Sequence, residues 1–320
     1  MGIPKLNSYL VQNCSKQSID KKHLSTFSGK TIAIDISIYL YKFAANNGII
    51  PSLYQMIRTF KFYNITPIFV FDGKPPEEKK ELIYKRNDMR YDAEMKCIEL
   101  QNEYDTLDKR VNKTREEMEH MLKLKGIIEK TKKQCVRVSW NETENAKKLL
   151  KLCNIDFYIA DGEADQLCVQ LVLNKTAWAC MSDDMDMFVY GCTRVMRGLS
   201  LYNHTVMFYN INGILRELDI KMVDFRKIAV LSGTDYNIEN NINIKDVIRQ
   251  YNIYKKTEQD VIFYVWYAKL RNIEIDLNKL NKIYDMFCID NGNQLYNADY
   301  SIKKKITIET FLRPYGFVFA

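Results

Sequence analysis

Seven carboxylates, Asp35, Asp72, Glu163, Asp165, Asp184, Asp186 and Asp235, are the residues of this chain most suited to chemistry. Several stand at the ends of short apolar runs: Thr31-Ile32-Ala33-Ile34-Asp35, Pro67-Ile68-Phe69-Val70-Phe71-Asp72 and Thr176-Ala177-Trp178-Ala179-Cys180-Met181-Ser182-Asp183. Carboxylates gathered in one crevice repel each other unless cations neutralise them. An oxygen-only donor set calls for a hard divalent ion, Mg²⁺ or Mn²⁺, held by a few carboxylates and several waters. Two such ions about 4 Å apart suit in-line attack of water on a phosphodiester, which favours phosphoryl chemistry over acyl transfer.

The elements that must position these acids follow from the pattern. The apolar runs, with Asp156-Phe157-Tyr158-Ile159-Ala160-Asp161, read as buried strands separated by helical stretches. That alternation predicts an α/β fold: three layers, with a mostly parallel central sheet covered by helices. In such sheets the carboxyl ends of the strands line the ligand crevice. Glu163 and Asp165 open the apolar run Leu167–Leu173 and so belong to the first turn of a helix.

Between the second and third of these strands, residues 77–133 contain no proline and a single glycine, Gly126. Leu100, Tyr104, Leu107 and Val111, preceded by Tyr91, Met95 and Ile98, carry helical spacing, so two long helices in a hairpin are expected. Ser139 with Glu142 forms a capping box for a helix through about Leu152. The expected domain order is 1–76, first half of the core; 77–135, helical insertion; 136–236, second half of the core; and 237–320, a helical C-terminal region.

Other chemistries fit less well. Eight cysteines contain no C-x-x-C pair and there are only three histidines, which argues against a zinc cluster. Gly29-Lys30-Thr31 looks like the end of a phosphate-binding P-loop, but Leu24 stands where glycine is needed and the triplet precedes a strand. A Mg²⁺ phosphatase would usually carry Asp-x-Asp after the first strand, whereas Asp35-Ile36-Ser37 lacks the second acid. The net charge of +7 is compatible with a polyanionic partner. No apolar run reaches the length of a membrane span and no signal core is visible, so the chain is expected to stay inside the cell, in nucleus or cytoplasm, and not to be secreted.

The motifs in order resemble the flap endonuclease/XPG family of structure-specific 5′ nucleases, nearest to its flap endonuclease branch. The matching segments are Met1-Gly2-Ile3-Pro4-Lys5-Leu6, Ala33–Tyr39, Val70-Phe71-Asp72-Gly73-Lys74-Pro75-Pro76, Gly162-Glu163-Ala164-Asp165, Asp184-Met185-Asp186 and Ser232-Gly233-Thr234-Asp235-Tyr236. The resemblance implies a PIN-like nuclease core with a helical arch, two Mg²⁺ ions with Mn²⁺ as a substitute, and cleavage of DNA with 5′ flaps or single-strand/duplex junctions, with possible 5′-exonuclease action. It places all seven acids on the family's metal positions. It makes Lys79 and Arg86, with Asp35 and Asp72, the catalytic residues, and Gly2, Tyr41, Lys79, Arg86 and Lys245 the DNA contacts. Lys79 and Arg86 are spaced to share one helix face.

Three departures from the family pattern shape the expectations. The interval from Asp72 to Glu163 is long, implying an enlarged arch. The segment Asn46–Ser52 is short where the family carries a wedge that splits duplexes. Asn241 and Asn243 stand where glycines of a helix-two-turn-helix are expected, leaving its K⁺ site open; asparagine tolerates a left-handed backbone better than other non-glycines. No sliding-clamp tail is seen, and a monomer is expected. Asp260–Tyr267, apolar nearly all round, reads as core helix, and Lys303-Lys304-Lys305 as a solvated face. The alternative function is a non-catalytic DNA-binding scaffold on a nuclease fold.

Overall fold

A computed structural model describes residues 2–240, 242–257, 261–289 and 307–319. The chain groups into two compact units, one of residues 1–37, 55–79 and 154–301, the other of 38–54, 80–153 and 302–320.

The first unit holds a seven-stranded sheet: β1 Ile19–His23, β2 Thr31–Asp35, β3 Thr66–Phe71, β4 Phe157–Ile159, β5 Ala179–Met181, β6 Arg194–Ser200 and β7 Thr205–Asn210. Their order is β1-β7-β6-β5-β2-β3-β4. The five strands from β6 to β4 run parallel, and β7 and β1 close one side as antiparallel strands. The expected mostly parallel α/β sheet is therefore present, and β1, β6 and β7 are additions that apolar runs did not announce, because each buries only one or two of its residues among partly exposed ones.

β2 and β3 are buried along nearly their whole length, as parallel strands covered on both faces must be. The helix Ala164–Leu173 packs on β2, β3 and β5, burying Leu167, Cys168, Val169, Leu171 and Val172. Because the central strands are parallel, the ends of β2, β3, β4 and β5 open on one edge. Asp35 is the last residue of β2 and pairs in register with Val70 of β3, two residues before Asp72.

The second unit contains the expected hairpin, helices Lys80–Asp108 and Arg115–Gln134. Its seam keeps Leu100, Tyr104 and Leu107 of the expected stripe and departs from it before and after them. Ala93, Cys97, Leu100, Tyr104 and Leu107 turn inward with the 4,3,4 spacing of a coiled coil, against Met121, Leu124, Ile128 and Thr131 of the returning helix. Tyr91, Met95 and Ile98 lie off that seam and are exposed, and Val111 lies past the helix end at 96% exposure. Flanking pairs fix the antiparallel register: Arg137 with Glu94, Lys132 with Gln101, and His120 with Glu103. A capping box of Thr114 and Glu117 starts the second helix, and that of Ser139 and Glu142 starts Trp140–Leu152 as expected.

Two further expectations change. Asn243 is not left-handed: its backbone is extended (φ −67°) and its side chain accepts from the Lys245 amide, so it caps the helix Ile244–Tyr254. Asn241 lies outside the described residues, as do Lys303-Lys304-Lys305 and Asp260. The helix Phe263–Arg271 buries one face through Phe263, Tyr264 and Tyr267 and leaves Lys269 and Leu270 exposed, so it is amphipathic and not apolar all round.

Candidate active site

Each acid is set by the element before it. Asp35, 5% exposed at the end of β2, accepts from the Ser37 amide (3.1 Å) and the buried Ser182 hydroxyl (2.9 Å). Asp72 follows β3 directly. It accepts from the Ala164 amide (2.8 Å), one of the free donors at a helix start, and from the Ser37 hydroxyl.

The ends of β3 and β4 are tied together at Gly73, whose amide donates to the Gly162 carbonyl (2.7 Å) while Lys74 donates to that of Asp161 (3.2 Å). A side chain at residue 73 would start 1.9 Å from the Ala160 carbonyl oxygen, so only glycine permits this approach. The approach carries Asp72 to the start of the helix that bears Asp165.

Glu163 is the N-cap residue of that helix, but its carboxylate does no capping. It accepts instead from the Lys79 ammonium and the Tyr236 hydroxyl. Asp184 and Asp186 follow β5. The Asp184 amide donates to Ser182 Oγ (3.1 Å), and the Asp186 amide to Asp184 Oδ1 (3.1 Å). Asp235 sits after the helix Met222–Ser232 in a turn closed by Asn237, whose Oδ1 accepts from the Thr234 amide (2.9 Å) and whose Nδ2 donates to the Val230 carbonyl (2.8 Å).

Lys79 is a buried cation within this cluster. It ends a 3₁₀ turn, Glu77–Lys79, is 9% exposed, and reaches Glu163 and, at 3.7 Å, Asp235. Burial alone would lower its pKa, yet Glu163, Asp235 and Asp165 together raise it, so it remains protonated. Behind it, Tyr236 and Tyr190 share a hydroxyl–hydroxyl bond of 2.8 Å, and Gln166 donates to Tyr190 (3.3 Å).

One lysine does not balance the acids. Burial, then the neighbouring Asp72 and Asp184, pushes Asp35 up to about 7. Burial and like-charged neighbours also raise Asp165, Asp184 and Asp186. Asp186 Oδ1 is buried with no hydrogen-bond partner. A buried carboxylate oxygen left without a donor, among acids held above their usual range, is what a site for hard divalent cations presents before loading. Among the described residues no group of three or more acids, histidines or cysteines is arranged so that it could hold a metal ion. The all-oxygen donor set and the orphaned oxygen nevertheless fit divalent ions of the Mg²⁺ type.

Gly2 is packed onto these acids: a Cβ there would lie 2.4 Å from Asp184 Oδ1 and 2.5 Å from Asp186 Oδ1, and its φ of +69° disfavours other residues. The structure thus brings Gly2, Lys79 and all seven acids into the first unit. Lys245 belongs to that unit too, on the helix Ile244–Tyr254, where it donates to Gln12 (3.0 Å). Arg86 and Tyr41 belong to the second unit. Arg86 is half-buried on the helix Lys80–Asp108, and Tyr41 is 43% exposed with the Arg90 guanidinium 6.0 Å from its ring. The chain between Lys79 and Arg86 therefore passes from a 3₁₀ turn of one unit into a helix of the other.

Residues that sequence reasoning did not single out complete the cluster: Ser37, Ser182, Tyr190, Tyr236 and Asn237. Their signal lay beside the acids, in Asp35-Ile36-Ser37, Ser182-Asp183-Asp184 and Thr234-Asp235-Tyr236-Asn237, but short polar side chains near a carboxylate have no spacing rule of their own.

The chain matches the family models for the XPG N-terminal domain over residues 1–93 and the XPG I-region over residues 154–235. These segments contain every acid of the cluster, Lys79 and Arg86. The chain is 33% identical over 239 residues to flap endonuclease 1 of Methanococcus aeolicus, covering 69% of this chain and 68% of that protein. It is 32% identical over 255 residues to flap endonuclease 1-A of Oryza sativa subsp. japonica, with 74% of this chain aligned and 62% of the rice protein spanned. The fold is similar to that of the catalytic core of Rad2 in complex with DNA substrate, with a TM-score of 0.63 at 19% identity over 98% of this chain and 94% of that one.

Proposed function

Since the chain belongs to the flap endonuclease/XPG family, we propose that it is a Mg²⁺-dependent structure-specific 5′ nuclease, a hydrolase that cuts DNA phosphodiesters near single-strand/duplex junctions. The observation that carries the reading is the acidic edge of the sheet, with Asp186 Oδ1 buried and unpartnered and Asp35 pushed up to about 7. In this reading Asp35, Asp72, Glu163, Asp165, Asp184, Asp186 and Asp235 hold two Mg²⁺ ions, directly or through water, and Mn²⁺ can replace them. Such ions, when bound, would activate water for in-line attack and offset charge on the phosphate and leaving oxygens.

The chain's own residues do the rest. Ser37 and Ser182 hold the Asp35 and Asp72 carboxylates by hydrogen bonds and so fix where their remaining lone pairs point. Lys79, protonated and tethered by Glu163 and Asp235, supplies a positive charge that a scissile phosphate can take over when cations relieve those acids. Arg86 adds a second positive charge to the phosphate, and Tyr41 offers a ring on which the base at the cleavage position stacks. The hairpin of residues 77–135 serves as the arch that threads or clamps the 5′ single strand. Lys245 at a helix start contacts duplex phosphate, and the Gly2 backbone allows close approach to the acids. A monomer acting on DNA inside the cell completes the proposal.

The deciding experiment compares cleavage of end-labelled 5′-flap, nicked, blunt-duplex and Holliday-junction DNA by wild type and Asp184→Ala, in Mg²⁺ and in EDTA. Cutting at the flap junction that requires Mg²⁺ and is lost in the variant is the expected result. Binding without cutting on every substrate, in Mg²⁺ and in Mn²⁺, would sink it and establish the scaffold role. Phosphate contacts should also make affinity fall steeply with salt.

A further inference from the structure

A second polar site lies at the other end of the sheet. The amino ends of β2, β5 and β6 border an open cleft of about 570 Å³, within the roughly 300–1,000 Å³ typical of ligand pockets. Lys30, Lys175 and Arg194 line it, and no acidic residue does. Two of the cations are anchored on Trp178: the Arg194 guanidinium lies 4.8 Å and the Lys30 ammonium 5.8 Å from its ring, and Arg194 also donates to the Trp178 carbonyl (3.1 Å). Trp178 is itself fixed, stacked on Phe208 at 15° with centroids 5.6 Å apart and against Phe27 at 5.8 Å.

We propose that this cleft binds a nucleotide phosphate. Three cations gathered without an acid attract an anion, and an anion with several charged oxygens can engage all three. Thr31 and Thr193 bring hydroxyl donors to the lining. Asn212 stands in the first turn of the helix Ile211–Leu218, whose positive end borders the cleft. The half-buried indole gives an apolar surface beside the charges, which suits a nucleotide better than an isolated inorganic ion.

Gly29-Lys30-Thr31 is part of this lining but does not act as a P-loop. Two of its backbone donors are already used, Gly29 on the Asn64 carbonyl (2.7 Å) and Lys30 on that of Phe27 (3.1 Å), and a strand follows it. Recognition in the cleft therefore rests on side chains. The site is independent of whether the acidic cluster cleaves DNA.

The test is calorimetric titration in EDTA, which keeps the acidic cluster free of divalent cations. The probes are thymidine 5′-monophosphate, thymidine, inorganic phosphate and an unphosphorylated ten-nucleotide oligo-dT. The proteins are wild type, Lys30→Ala/Lys175→Ala and the charge-preserving Lys30→Arg/Lys175→Arg; both lysines are exposed, so the fold should persist, and a melting curve checks it. The monophosphate should bind wild type, weaken at least tenfold in the alanine pair and recover in the arginine pair, while thymidine does not bind. Inorganic phosphate binding as tightly as the monophosphate would identify the phosphoryl group alone as sufficient. Variant-dependent binding of the oligonucleotide alone would identify the strand backbone as the phosphate source. Failure of every probe to bind wild type, or equal binding by wild type and the alanine pair, would overturn the proposal.

Discussion

Tyr236→Phe is the sharpest probe of how the acidic cluster is held. The substitution removes one oxygen from a buried ring, leaves the ring packed against Phe287, and deletes the hydrogen bond to Glu163. A hydrogen bond to a charged group contributes about 1.5–3 kcal/mol. At 1.4 kcal/mol per tenfold, full loss on the cation-binding side would weaken divalent affinity roughly 10- to 150-fold. Glu163 keeps its pair with Lys79, so the lower part of that range, about 10- to 30-fold, is expected. Tyr190 loses one partner but retains Gln166, so global stability should fall by only about 1 kcal/mol. The assay is a Mg²⁺ titration of flap cleavage with parallel thermal melts in EDTA. The half-saturating Mg²⁺ concentration should rise while the rate at saturation stays within about threefold of wild type, and Tyr190→Phe, one bond further out, should shift it less. An unchanged half-saturation point with a depressed maximal rate would refute the positioning role. A collapse of the melting temperature by more than about 10 °C would show that the hydroxyl serves packing instead.

Removing the buried cation by Lys79→Ala should cost about 3 kcal/mol or more in EDTA at pH 8, because Glu163 and Asp235 lose their counter-charge, and added Mg²⁺ should recover much of the melting temperature. Equal losses with and without Mg²⁺ would contradict this. For pH, Asp35 rises from an ordinary value near 3.9 when unfolded to about 7 when folded, so the folded state holds its proton longer. Metal-free stability should therefore be greatest below pH ~4 as far as this group is concerned and fall as pH rises to about 7, and melts at constant ionic strength should show the decline in EDTA and its suppression by Mg²⁺. Gly2→Ala should lower cleavage by about 100-fold or more with little change in melting temperature, since its Cβ collides with Asp184 and Asp186 and displaces reacting groups more than it disturbs the core.

The parts of the molecule that could be read from sequence are those governed by short-range rules. Runs such as Ile32–Asp35 and Ile68–Phe71 announced buried parallel strands, and acids at their ends announced the crevice. The capping box at Ser139 marked a helix start to the residue. The hairpin was legible as two helices and Leu100, Tyr104 and Leu107 marked part of its seam, but the first turns were not: Tyr91, Met95 and Ile98 are larger than Ala93 and Cys97, and only the pairing with Met121, Leu124 and Ile128 decides which stripe is covered. Lys79 could be named from the family resemblance, whereas its double attachment to Glu163 and Asp235 depends on contacts across more than eighty residues of chain. The same holds for Asn243, where a cap and a left-handed turn are equally open to asparagine and the helix that follows selects the cap.

The acids of the site are spread from residue 35 to residue 235, and the unit that gathers them is assembled from three separate stretches of chain. During synthesis Asp35, Asp72 and Lys79 emerge before Glu163, Asp165, Asp184 and Asp186. Asp235 and the Thr234–Asn237 turn come last, and until they leave the ribosome Lys79 lacks one of its two anchors and Glu163 lacks Tyr236. Such long-separated contacts form late in folding. A chain stopping before Asp235 would thus hold an acid cluster in which Lys79 and Glu163 each lack a partner that the longer chain supplies.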